Sequence, residues 1–237
     1  MRFFHGVLAA AFGLALMGQV EAGKLQIAPV SIDVPAPGAA SSVTLTNTGR
    51  TVMAVQARIF RWSQGKRGER FHNTKDVVVS PPIVKLRPGK KAVVRIVRLS
   101  KKPVNTEENY RLLIDEIPSK ARTNRSTVRM VMRYSLPVFF GPGEYAKPKT
   151  AWNVYQRGGK LIVAGANYGQ TRLKLSQMRV VDGRGRAVDF GKGLNGYVLS
   201  QSSKTFYTNS GSRLRGRRVT ITAQSNYGPF KAVAQLK

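Results

Sequence analysis

The chain lacks cysteine, and histidines and acidic residues are scarce in it. The absence of cysteine from 237 residues excludes disulfide bonds, thiolate metal ligands and a cysteine nucleophile. Two histidines, His5 and His72, are too few for a multi-histidine metal site and leave no good base for a serine nucleophile. Among the 11 acidic residues, Asp115 and Glu116 are adjacent and would point to opposite faces of a strand. We therefore expect neither enzymatic activity nor a cofactor.

Basic residues are abundant, with 40 lysines and arginines and a formal net charge of +29. Clustered cations bind nucleic acid by releasing counterions from phosphates. No nucleic-acid-binding motif accompanies the basic runs at residues 65–70 and 213–218, and such runs are most often solvated loops. We expect acidic protein partners first, because the charge would speed their encounter. Anionic envelope surfaces come second, and we expect no nucleic-acid partner.

Residues 1–22 have the features of a secretory signal peptide. A positively charged start precedes an apolar stretch at residues 7–17, and Val20 and Ala22 stand where a signal peptidase reads the chain. The apolar stretch is shorter than the ~20 residues of a membrane-spanning helix. We expect cleavage after Ala22 and export of the mature chain.

The mature chain alternates apolar and polar residues in short runs separated by turn residues, which predicts half-buried strands. Strands are expected at residues 25–27, 43–46, 52–62, 92–96, 110–117, 128–140, 161–163, 172–181, 197–199, 205–207, 219–222 and 232–236. A segment rich in glycine and proline, residues 141–148, divides them into two sets. We predict an all-β chain of two β-sandwich domains in tandem, residues 23–142 and 143–237, with one large sandwich as the alternative.

Several segments occur in a family-specific order and spacing. They are residues 45–49 (LTNTG), 80–89 (SPPIVKLRPG), 92–96 (AVVRI), 110–118 (YRLLIDEIP), 136–140 (LPVFF), 167–169 (NYG) and 198–206 (VLSQSSKTF). Together they resemble the PapD-like periplasmic pilus chaperones of the chaperone–usher pathway. Two of them, residues 110–118 and 136–140, are most similar to the archaic branch of this family. The resemblance covers nearly the whole mature chain and implies immunoglobulin-like domains, a periplasmic location and no cofactor.

The resemblance also implies a mechanism. Chaperones of this family hold a pilus subunit that lacks its last strand, lend it a strand by donor-strand complementation, and deliver it to an outer-membrane usher. Pilus subunits and the usher are therefore the implied partners. A homo-oligomer, in which the free chaperone covers its own donor strand, is an alternative partner state. The alternative function is an exported basic β-sandwich adhesin or an envelope-binding module.

The strand that is lent is expected around residues 128–134. Val128, Met130, Met132 and Tyr134 occupy alternate positions, as insertion into a groove requires. The unbranched methionines can fill grooves of different shapes. Periodicity alone favours another interpretation, in which these side chains face the protein's own core. With the resemblance, we assign them to the donor strand.

The family binds the C-terminal carboxylate of the subunit with two basic residues, one on the first and one on the last strand of the first domain. The corresponding positions here are Ser31 and Pro137, and neither is basic. We expect Arg111 and Arg133 to replace them, because paired cations fix a desolvated carboxylate. Ordinary solvated arginines are the alternative.

An ion pair near the domain junction is the last feature that the resemblance implies. Arg95 and Glu116 occupy the family positions for it, where the pair would fix the angle between the domains. The family's second arginine would fall near Gly141, so we expect an incomplete triad.

Overall fold

The computed structural model describes residues 25–65, 68–118, 131–143, 146–209 and 214–237. The predicted signal peptide, residues 1–22, lies outside these residues, as do Val128 and Met130. Every regular element in the described parts of the chain is a β-strand. In the same parts, we find no helix with the length and apolar character needed to cross a membrane.

Ten strands form the first domain. They are β1 (Leu25–Ala28), β2 (Ile32–Pro35), β3 (Ala40–Asn47), β4 (Met53–Gly65), β5 (Gly68–His72), β6 (Val77–Ser80), β7 (Ile83–Leu86), β8 (Lys91–Arg98), β9 (Glu108–Ile117) and β10 (Arg133–Gly141). One sheet has the order β1-β3-β8-β6, and the other has the order β2-β10-β9-β4-β5, with β7 paired to β4. Alternate side chains of both sheets, including Leu45, Ile96 and Leu112, meet in one buried core.

Eight strands form the second domain. They are β11 (Thr150–Arg157), β12 (Lys160–Asn167), β13 (Leu173–Asp182), β14 (Ala187–Asp189), β15 (Leu194–Val198), β16 (Ser202–Asn209), β17 (Arg218–Ser225) and β18 (Gly228–Leu236). Their order is β14-β13-β17-β18-β11-β12-β16, with β15 paired to β13. The sheet surrounds a second core that includes Val163, Leu175 and Ile221. Two separate cores confirm the predicted all-β fold of two domains, and the boundary at residues 142 and 143 stays a prediction.

The same short motif closes a turn in each domain. Asn47 is fully buried, its side-chain amide donates to the carbonyl groups of Thr51 and Leu86, and its Oδ1 accepts from the N–H of Gly49. Asn167 repeats this pattern with Thr171, Val198 and Gly169. A buried side chain with several donors and acceptors is stable only where partners satisfy them. The two motifs noted in the sequence, LTNTG and NYG, are therefore turns that tie one strand to its neighbours.

Candidate functional site

Strand β10 has two different halves. Residues 138–140 are paired on both sides, with β2 in parallel and with β9 antiparallel, and Gly141 pairs with β2 alone. Residues 133–137 pair with β9, and in the described parts of the chain no strand lies along their other side. The N–H and C=O groups on that side can therefore pair with a strand from another protein.

The predicted donor residues lie at or before this free edge. Met132 is 43% exposed, and its carbonyl still accepts from the N–H of Glu116 at 3.1 Å, so the chain follows β9 there. Tyr134 is half-buried and packs against the first core, which is the alternative environment that periodicity favoured. Even-numbered residues of β10 face the core as far as Tyr134, whereas Met132 lies beyond it. The described chain thus presents Met132 on the surface beside the free edge.

Arg111 lies on the outer face of the same sheet, directly opposite Pro137 on β10. Its guanidinium is 3.8 Å from the ring centre of Trp62, and its side chain is only 15% exposed. Burial lowers the pKa of Arg111, and the nearby Glu69 carboxylate opposes that shift. Its buried Nε has no hydrogen-bond partner. Arg111 is therefore a partly desolvated cation with an unused hydrogen-bond donor. It lies beside Pro137, one of the two positions that are basic in the PapD-like chaperones.

Arg133, the other expected anchor, has a different environment. It is 62% exposed and pairs with Asp115, which also binds Arg58 at 2.5 Å. Desolvation raises the pKa of Asp115, but the hydrogen bonds from Arg133 and Arg58 outweigh it and lower the pKa overall. Arg133 is separated from Pro137 by four positions of β10, about 13 Å at the usual rise per residue. The structure does not bring Arg111 and Arg133 together.

The domain junction has an ion pair at a place that the sequence did not indicate. Arg172 of the second domain binds Glu107 at 2.5 Å and also contacts Asp33. Glu107 is almost completely buried, and this burial raises its pKa, although Arg172 acts in the opposite direction. The Arg172 guanidinium also lies 3.6 Å from the ring centre of Phe139.

The structure does not bring Arg95 and Glu116 together as the expected ion pair. Arg95 is exposed on β8, in the sheet that contains β3 and β6. Glu116 is on β9, in the other sheet, and the ion pairs of the described residues do not join the two. The two side chains belong to different layers of the sandwich, so they cannot fix the junction together.

An aromatic cluster completes the junction. Trp62, Phe139, Tyr197 and Leu199 are buried together, and the rings of Trp62 and Tyr197 meet edge to face with centres 5.6 Å apart. Gln64 adds two hydrogen bonds across the junction, to the carbonyl of Tyr197 and from the N–H of Leu199. In the described residues, no group of three or more histidines or acidic residues is placed to hold a metal ion.

Comparison with known proteins identifies the family. Residues 24–146 match the family model described as pili and flagellar-assembly chaperone, PapD N-terminal domain. The chain belongs to this family. A relative from Escherichia coli (strain K12), the uncharacterized fimbrial chaperone YcbF, is 27% identical over 138 residues. That match covers 57% of this chain and 58% of YcbF, so the chain spans little more than half the length of this curated relative.

Solved structures of pilus chaperones share the fold. The CsuC–CsuE chaperone–tip adhesion subunit pre-assembly complex, from the archaic chaperone–usher Csu pili of Acinetobacter baumannii, matches with a TM-score of 0.69 and 25% identity. The match covers 91% of this chain and 100% of that chain, and agrees with the archaic-branch resemblance. The E. coli chaperone DraB matches with a TM-score of 0.57 and 19% identity over 90% of this chain and 96% of its own. The predicted immunoglobulin-like tandem is thereby confirmed.

Proposed function

We propose that this family member is a periplasmic chaperone that holds incomplete pilus subunits by donor-strand complementation and delivers them to an outer-membrane usher. The observation that carries the proposal is the unpaired side of residues 133–137 on β10. A subunit strand added there would complete a ladder whose other side β9 already occupies. The exchange of one strand for another needs neither catalysis nor a cofactor.

Side chains before the free edge would enter the groove of the subunit. Met132 is exposed beside that edge, and Val128 and Met130 precede it at the same spacing. Alternate residues of a strand point to the same side, so the three would extend one apolar row. Tyr134 would end the row, because it packs on the first core and can support the strand where the groove begins.

Arg111 is the better supported anchor for the C-terminal carboxylate of the subunit. It lies opposite Pro137, is partly desolvated and has an unused Nε donor. A charge-assisted bond to a carboxylate would satisfy that donor and set how far the subunit strand runs along β10. Arg133 has less support, since Asp115 already binds it.

Replacing Met132 with glutamate tests the proposal. Because a carboxylate cannot enter an apolar groove without a large desolvation cost, Met132→Glu should reduce recovery of a co-expressed subunit from the periplasm at least tenfold. Val93→Glu is the matched control, since Val93 is 50% exposed on the other sheet. Capture is measured by co-purification, and circular dichroism verifies that both variants fold. If wild type and a correctly folded Met132→Glu variant recover the same amount of subunit, the assignment of Met132 to the donor strand is contradicted.

A further inference from the structure

A carboxylate of the protein itself lies between two cations at the cleft between the domains. Glu69, on the exposed strand β5, places Oε1 2.5 Å from Nζ of Lys204 and Oε2 3.9 Å from Nη2 of Arg111. Arg111 belongs to the first domain and Lys204 to strand β16 of the second. One carboxylate is therefore able to bridge these two cations.

The bridge satisfies the charges better than it satisfies the donors of Arg111. At 3.9 Å, the contact between Glu69 and Arg111 is longer than a hydrogen bond. The buried Nε of Arg111 also has no acceptor. A carboxylate that approached Arg111 more closely would gain a charge-assisted hydrogen bond that Glu69 does not supply.

The surroundings leave room for such an exchange. An open cleft of about 100 Å³ adjoins the bridge and is lined in part by Gln64, Glu69, Lys204 and Tyr207. The Glu69 side chain is 32% exposed, so it can turn into solvent without breaking the core. A Cβ on residue 196 would come within 3.1 Å of the Cε of Lys204, so Gly196 leaves room for this lysine side chain.

We propose that Lys204 supplies the second cation of the carboxylate site and that Glu69 is an internal occupant which the C-terminal carboxylate of a subunit displaces. This inference rests on the proposed chaperone function. Lys204 would compensate for the missing basic residues at Ser31 and Pro137, using the second domain instead of the first. Glu69 would keep the two cations paired in the free protein. It would also lower the affinity of the chaperone for carboxylate ligands that do not carry a strand able to pair with β10.

The test uses the full mature chain and a short N-acetylated peptide of alternating valine and threonine, with either a free C-terminal carboxylate or an amide. Affinities are measured by isothermal titration calorimetry. Glu69→Gln should bind the free-carboxylate peptide about two to five times more tightly than wild type, the range expected for a partly exposed ion pair. Its affinity for the amide should not change. Lys204→Met should weaken binding of the free-carboxylate peptide alone.

Asp76→Asn is the matched control, because Asp76 is an exposed acidic residue of the first domain that pairs with Arg61 instead. It removes the same charge as Glu69→Gln and should leave both affinities unchanged. Equal affinity of wild type and Glu69→Gln for the free-carboxylate peptide would overturn the role of Glu69. If neither protein distinguishes carboxylate from amide, the two-cation site is wrong as well. Co-purification of wild type with a co-expressed subunit then reports separately whether the chaperone function stands.

Discussion

The two halves of strand β10 differ although they are continuous in sequence. Residues 138–140 are paired on both sides, and Phe139 and Phe140 are buried on opposite faces. Residues 133–137 have one unpaired side, and Arg133 and Ser135 are exposed. One half is therefore part of the scaffold, and the other is available to a partner. A rigid, doubly paired anchor lets the adjacent edge stay open without losing its position.

Truncating the buried half should have the largest effect. Phe140 is fully buried and meets the ring of Tyr110 edge to face, with centres 5.9 Å apart. Phe140→Ala should lower the free energy of unfolding by about 3–5 kcal/mol, since it removes contacts and leaves a cavity. Ser135→Ala, in the open half, should change it by less than about 0.5 kcal/mol. Urea unfolding monitored by tryptophan fluorescence compares the two, and similar losses would contradict the distinction between the halves.

The fold follows closely from the sequence because most strands alternate strongly. The predicted strands at residues 92–96, 110–117 and 219–222 lie within β8, β9 and β17. Strands β2, β5, β6, β7, β11 and β14 were not predicted. Strand β5 is exposed throughout and so has no apolar alternation to detect, while β2 and β7 are only four residues long. Their pairing depends on neighbours that are distant in sequence.

The second prediction concerns the domain junction, where Arg172 contacts both Glu107 and, in the buried half of β10, Phe139. Arg172→Met leaves the buried Glu107 carboxylate without its cation, so the free energy of unfolding at pH 7 should fall by about 3 kcal/mol. Burial already raises the pKa of Glu107, and loss of Arg172 would raise it further. Below the usual glutamate pKa of about 4.3, the side chain is protonated in both the folded and unfolded states. The loss should therefore be smaller at pH 4 and should grow as the pH rises through the folded-state pKa.

A second substitution serves as the control for this pH dependence. Adding Glu107→Gln to Arg172→Met removes the ionisable group. The loss in the free energy of unfolding caused by Arg172→Met should then be the same at pH 4 and pH 7. Urea unfolding at both pH values measures it. A loss that is the same at pH 4 and pH 7 in the single variant would show that packing of Arg172 on Phe139, rather than the charge of Glu107, determines the effect.

The candidate site was only partly predictable, for a physical reason. Arg111 could be proposed because it is on a predicted strand next to the last strand of the first domain. The contacts of Arg172 with Glu107, and of Lys204 with Glu69, join residues more than 60 positions apart and from different domains. Periodicity within a strand contains no information about how two domains meet. Arg95 and Glu116 were misplaced for the same reason, since the resemblance gave their positions but not their sheets.

The third prediction concerns Arg111 and Arg133, the two candidate anchors for the carboxylate. Arg111→Gln should weaken binding of a purified subunit about tenfold, which corresponds to about 1.4 kcal/mol, because the carboxylate loses a charge-assisted bond. Arg133→Gln should change the affinity less than about twofold, since Arg133 is exposed and already paired with Asp115. Surface plasmon resonance measures both, and Arg111→Lys, which keeps the charge, should recover part of the loss. A larger loss for Arg133→Gln than for Arg111→Gln would assign the anchor to Arg133 instead.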